Sequence, residues 1–226
     1  MKLQRIRKIV QLAMLVMVII GFNIHAPILL TALIGLTFLA GVFYCGWVCP
    51  FGFIQDTASF VSRQLGFKSR RLPNKIHQVM IYFRYIFYIM IVCGVSLRFL
   101  SFEPRSAFYL LLLRRIPIVG VMVYLVVFTL LSMFYDRFFC RYLCPEGAKY
   151  GLMSLFRVFT IKRASACVSC KKCDKICPMQ IQVSLVDTLK SPQCINCFQC
   201  ISACPIEGCL KIKNRYERNC YDKSSR

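Results

Sequence analysis

Histidine is almost missing from this chain: two residues in 226, His25 and His77. A haem held between two histidines needs both at one site. These two fall in separate predicted loops, on opposite sides of the predicted topology, so no haem is expected. Acidic residues are also scarce, nine Asp and Glu against 30 Lys and Arg, giving a formal net charge of +21. The apolar runs therefore hold no strong acid or base for proton chemistry. The positive excess does not read as a nucleic-acid surface, because the Lys and Arg sit mostly beside apolar runs.

Cysteine is the opposite case, with 15 residues. Eight of them form two copies of one pattern, C-x2-C-x2-C-x3-C-P. The first is Cys167, Cys170, Cys173 and Cys177 before Pro178; the second is Cys194, Cys197, Cys200 and Cys204 before Pro205. Three thiolates at i, i+3 and i+6 wrap a loop around three iron corners of a [4Fe–4S] cubane, and the fourth cysteine of each run ligates the other cubane. One cluster then takes Cys167, Cys170, Cys173 and Cys204, and the other Cys194, Cys197, Cys200 and Cys177. Zinc sites use two C-x2-C pairs rather than triplets, and a disulfide framework belongs to secreted chains. Two full copies of a cluster pattern favour iron–sulfur chemistry, so this end of the chain is read as moving single electrons.

The remainder is apolar. Hydrophobic residues make up 58% of the chain and the mean hydropathy is +0.58, with the apolar runs concentrated before residue 140. The expected architecture is membrane α-helical. A domain at 1–150 carries four transmembrane helices in two repeated hairpins, and a small α+β two-cluster ferredoxin domain follows at 151–226. The expected spans are 9–24, 28–44, 78–97 and 116–135, with a further helix over 51–65. A signal peptide competes for the first run, but no clean cleavage site follows it. Lys and Arg placement puts both termini and the cluster domain on the cytoplasmic side of a multi-pass inner-membrane protein. The positive excess fits anionic lipid head groups or an acidic redox partner. In the cluster domain, a strand at 159–163 is expected to pair with 209–213, with Cys209 as a small core residue.

An internal repeat joins the two halves of the apolar region. Cys45-Gly-Trp-Val-Cys49-Pro50-Phe-Gly52 matches Cys140-Arg-Tyr-Leu-Cys144-Pro145-Glu-Gly147. Cysteines at i and i+4 of a helix share a face. The four thiols of Cys45, Cys49, Cys140 and Cys144 suit a third [4Fe–4S] cluster or a soft metal such as Cu(I); a structural dithiol or disulfide pair is the alternative.

These motifs, in this order, resemble those of the NapH/NosR/MauN-type membrane polyferredoxins. The resemblance spans nearly the whole chain. It implies electron transfer between the quinone pool and a partner, by a quinol dehydrogenase-type subunit working with other redox subunits or an acidic carrier such as ferredoxin or flavodoxin. The branch related to CcoG implies copper reduction instead, and a docking or anchor subunit of a larger redox complex is a third reading. The long flavin-binding domain of the NosR branch is not expected. Quinol oxidation also needs a proton acceptor. Glu103, His25, Asp136 and Glu146 are the candidates, each equally readable as a loop, turn or ion-pair residue.

Overall fold

The computed structural model describes residues 2–19, 35–67, 69–94 and 119–216. They fall into two compact units. Helix α1 (Lys2–Ile19) contributes residues 2–8 to the first unit and the rest to the second.

The first unit adds residues 35–47 and 150–216. A helical stretch at 35–40 stops at Gly41, whose φ of +86° is open to glycine but strained for other residues. The chain then makes a π-helical turn, Tyr44–Val48. Strand β1 (Phe159–Arg163) pairs antiparallel with β2 (Leu210–Asn214) in the register Ile161 opposite Ile212. Val183, Leu189, Phe198 and Leu210 pack around Ile161 beneath this pair, together with Cys194 and Cys200. Two one-turn helices lie within the cysteine runs, Lys172–Ile176 and Gln199–Ala203.

The second unit is helical. It holds α2 (Pro50–Gln64), α3 (Asn74–Val92), α4 (Val119–Phe134), α5 (Phe138–Tyr142) and the start of α6 (Pro145–Met153). Pro50 and Pro145 each open a helix, where the missing N–H costs no bond. Helix α2 lies on α4, and two serine hydroxyls fasten it there: Ser59 donates to the Ser132 carbonyl at 2.8 Å and Ser62 to that of Met133 at 2.6 Å. Arg137, at φ +50° and fully buried, clamps Asp56 with two bonds of 2.6 Å.

The structure corrects the four transmembrane helices expected from the apolar runs. Among the described residues, no helix is long and apolar enough to cross a membrane. Helix α1 begins well before its run, with Arg5, Arg7 and Lys8 inside it. The 28–44 run is broken at Gly41. Helix α3 opens with Asn74 and Lys75 and carries Arg84 at mid-length. Helix α4 has no charge, but its 16 residues rise only about 24 Å, against about 30 Å of bilayer hydrocarbon. Residues 20–24, 28–34, 95–97 and 116–118 of the expected spans lie outside the described residues. Among the described residues the architecture is helical with one two-stranded sheet.

Candidate metal centre

The two cysteine runs fold as copies. In the first, Ser169 and Lys171 have left-handed backbones, φ +52° and +56°; in the second, Asn196 and Phe198 stand at the same offsets, φ +48° and +54°. No glycine relieves these positions, so each costs about 1 kcal/mol or more. Alternating left- and right-handed residues curl the chain and turn successive N–H groups into one concavity, a nest suited to an anion such as an iron–sulfur cluster. The N–H of Ser169 bonds the Cys167 sulfur, and that of Asn196 bonds the Cys194 sulfur. Lys171 and Phe198 cap the short helices, and Cys177 and Cys204 end them in matching extended conformations.

The fourth cysteine of each run lies with the other run. Cys167, Cys170 and Cys173 share the lining of one cavity with Cys204. Cys194, Cys197 and Cys200 are buried, and Cys177 belongs with them. Burial first, then the nearby Cys197 and Cys194, push the Cys177 thiol up to about 12. Burial, followed by Cys197, Cys194 and Cys177, raises Cys200 as well. In the first set, Cys173 is pushed up to about 11 by burial and then by Asp174.

Sequence reasoning missed three participants. Cys209 lines the first cavity as a fifth thiol, bonded to the sulfurs of Cys167 and Cys204 and raised to about 11, by burial first and then by those neighbours. Arg157 is fully buried, and its guanidinium charge acts on the Cys194 thiol. Its Nη1 has no hydrogen-bond partner among the described residues. Arg163 sits on the edge of the first set, where it bonds Cys167 and pairs with Asp187 at 2.7 Å. Two arginines near a strand carry no spacing signal; each becomes legible only once the strand places it beside a first cysteine.

These features fit [4Fe–4S] clusters. Thiols crowded and buried enough to resist ionisation give up their protons when iron binds. A buried guanidinium with one N–H unsatisfied among the described residues suits a nearby anion, and a cubane held by four thiolates is one. No group of three or more His, Cys, Asp or Glu among the described residues is spaced to hold one metal ion. A cubane asks for a wider arrangement, because each thiolate binds a different iron.

The C-x3-C-P cysteines do not lie on α-helical faces as pairs. Cys45 is buried in the π-turn of the first unit, packed with Val42, Met179, Ile195 and Cys197. That turn is stitched to the second cluster loop: the indole N–H of Trp47 donates to the Asn196 carbonyl at 2.9 Å, and Gly46 lies so close to the Ile195 carbonyl that an added Cβ would collide with it. Arg7 holds the Gly46 carbonyl at 3.0 Å, and Gln4 donates to that of Cys197 at 2.9 Å. The other three belong to the second unit. Cys49 precedes Pro50 as the cap of α2, Cys140 lies in α5 and accepts a bond from Gln55 at 3.4 Å, and Cys144 accepts one from the Gly147 N–H at 3.4 Å.

Of the proton acceptors considered, Glu103 and His25 lie outside the described residues. Asp136 pairs with Arg63 at 2.9 Å and Glu146 with Lys149 at 2.6 Å. His77 stands in the first turn of α3 rather than in a loop, buried against Tyr142, whose hydroxyl lies 2.8 Å from Nδ1.

Comparison with known proteins agrees with this chemistry. Residues 22–68 and 117–163 match a family model described as a 4Fe-4S binding domain, and residues 159–205 match a 4Fe-4S dicluster domain. An uncharacterized protein of Methanocaldococcus jannaschii is 37% identical over 74% of this chain and 63% of its own length. The methylamine utilization ferredoxin-type protein MauN of Methylobacillus flagellatus is 28% identical over 71% of this chain and 59% of its own. The ferredoxin-type protein NapH of Haemophilus influenzae is 32% identical over 60% and 47%. The chain thus spans less than two thirds of the curated relatives it matches. No solved structure matches. With the motifs, the paired cluster loops and these relatives together, the chain belongs to the NapH/NosR/MauN-type family of 4Fe–4S ferredoxin-type proteins.

Proposed function

We propose that this chain is an electron-transfer protein with two cubanes, one held by Cys167, Cys170, Cys173 and Cys204 and the other by Cys194, Cys197, Cys200 and Cys177. The observation that carries this reading is the exchange of fourth cysteines between two loops of matching backbone. Each cubane, when bound, supplies a one-electron couple. The protein's own part is to exclude water from one set and leave the other open. Cys170 is exposed, and Val168, Lys171, Lys172 and Lys175 around it are exposed as well. That edge suits exchange with an acidic carrier or subunit, which lysines attract and an apolar contact seats.

On the far side of the chemistry, we assign the donor or acceptor to the quinone pool, and the C-x3-C-P cysteines Cys45, Cys49, Cys140 and Cys144 to a third cluster. The contact of the Cys45 turn with the second cluster loop supports that order. Association with the cytoplasmic face of the cell membrane is part of the same proposal. Val79, Tyr82, Ile86 and Ile89 form an exposed apolar stripe on α3, and Val123, Val126 and Leu130 are exposed on α4.

The test is anaerobic purification followed by mixing with a reduced quinone. Bleaching of the cluster absorbance by quinol, with about twelve irons per chain falling to about eight in Cys45→Ser/Cys140→Ser, is the expected result. Clusters that dithionite reduces and no quinol does would remove the quinone, and about eight irons in both proteins would remove the third cluster.

A further inference from the structure

The two cysteine sets differ in the charges fixed beside them. At the first, Asp174 adjoins Cys173 and is held in place by the N–H of Ser184 at 2.8 Å and by its hydroxyl. The lysines there, Lys171, Lys172 and Lys175, are exposed, and the cation bonded to a thiol, Arg163, is partly exposed and already paired with Asp187. At the second set the cation is Arg157, 2% exposed. It donates to the Leu189 carbonyl, which Thr160 also bonds, and a carbonyl leaves its charge unneutralised. The fold makes room for it. Gly41 passes over the side chain so closely that a Cβ there would meet Arg157 Cδ at 3.0 Å and Asn196 Nδ2 at 2.9 Å. The guanidinium also hydrogen-bonds the sulfur of Cys194, the first cysteine of that set.

Reducing a cubane adds an electron to an anion. Burial opposes that step, because the extra charge loses solvent; a fixed cation in the same dry surroundings favours it and is little screened. An exposed, paired cation such as Arg163 does far less.

We infer that Arg157 is a potential-setting residue: it raises the reduction potential of the buried cubane and offsets the lowering that burial imposes, which keeps that cubane within reach of the exposed one. The inference rests on the assignment of Cys194, Cys197, Cys200 and Cys177 to one cluster. The charge of Arg157 is constant, since a guanidinium stays protonated throughout.

The experiment is an EPR-monitored redox titration of the anaerobically purified full chain, comparing wild type with Arg157→Gln, Arg157→Met, Arg157→Lys and Arg163→Gln. Removing the buried charge should make one of the two cubanes held by the cysteine runs at least tenfold harder to reduce in its one-electron equilibrium, about 60 mV lower, and leave every other cluster within threefold. Arg157→Lys keeps the charge and should move that midpoint by less than half as much; Arg157→Met removes the charge without burying a new polar group and should move it as far as the glutamine variant, which preserves the test if the glutamine variant does not fold. Arg163→Gln should shift neither cubane by as much as threefold. Unmoved midpoints for both run-held cubanes in whichever of Arg157→Gln and Arg157→Met folds would overturn the role of Arg157 and leave the two-cluster assignment standing. A wild type that holds a single cubane would overturn the assignment itself, and this inference with it.

Discussion

At the scale of residues, His77 shows what burial does to a titratable group. Burial first, then the positive charges of Arg141 and Arg71, lower it from 6.5 to about 4. The folded state therefore resists the proton that the unfolded chain accepts. Its contribution to stability is complete above pH 6.5 and is lost as pH falls from there toward 4. Urea unfolding should become easier between about pH 7 and 5, with a smaller slope in His77→Gln. Equal slopes in the two proteins would show that His77 is not the group responsible. The eight run cysteines were legible in the sequence because a cubane fixes their spacing. Arg157, Cys209 and His77 were not. Their importance comes from burial against a neighbour distant in sequence, and spacing carries no trace of that.

Among elements, the π-turn Tyr44–Val48 is the sharpest departure from expectation. Spacing alone gave Cys45 and Cys49 an ordinary helical face. In the protein, Gly41 ends the preceding helix, the chain winds into a wider turn, and Pro50 starts a new helix, so the pair straddles two elements. Wide turns of this kind gather at functional sites. Gly46 has backbone against backbone, with no flexible side chain to move aside. Gly46→Ala should therefore cost about 1–3 kcal/mol, seen as a lower melting temperature and weaker retention of iron. An alanine variant with unchanged melting and iron content would contradict the docking of this turn. The same physics explains the loss of the expected spans. An apolar run gives no warning that Gly41 will break it or that α3 will start among polar residues, whereas the strand pair expected at 159–163 and 209–213 lies within one residue of the observed β1 and β2.

Across the whole molecule, the proposed exchange of fourth ligands joins two loops into one electron-transfer head. The C-x3-C-P endings lead to the same proposal, since the proline turns the chain away just after each fourth cysteine. The burial of one set and the exposure of the other were not foreseeable, because both runs have nearly the same sequence form. The packing of Val42, Met179 and Ile195 over Cys197 separates them. The most direct test is the iron content of two double variants, purified anaerobically beside wild type. Cys177→Ala/Cys194→Ala removes two ligands of one cubane under the crossed arrangement and should lose about four irons, whereas Cys170→Ala/Cys177→Ala strikes both cubanes and should lose about eight. The reverse pattern, about eight from the first and about four from the second, would mean that each run closes its own cluster and that the crossed arrangement is wrong.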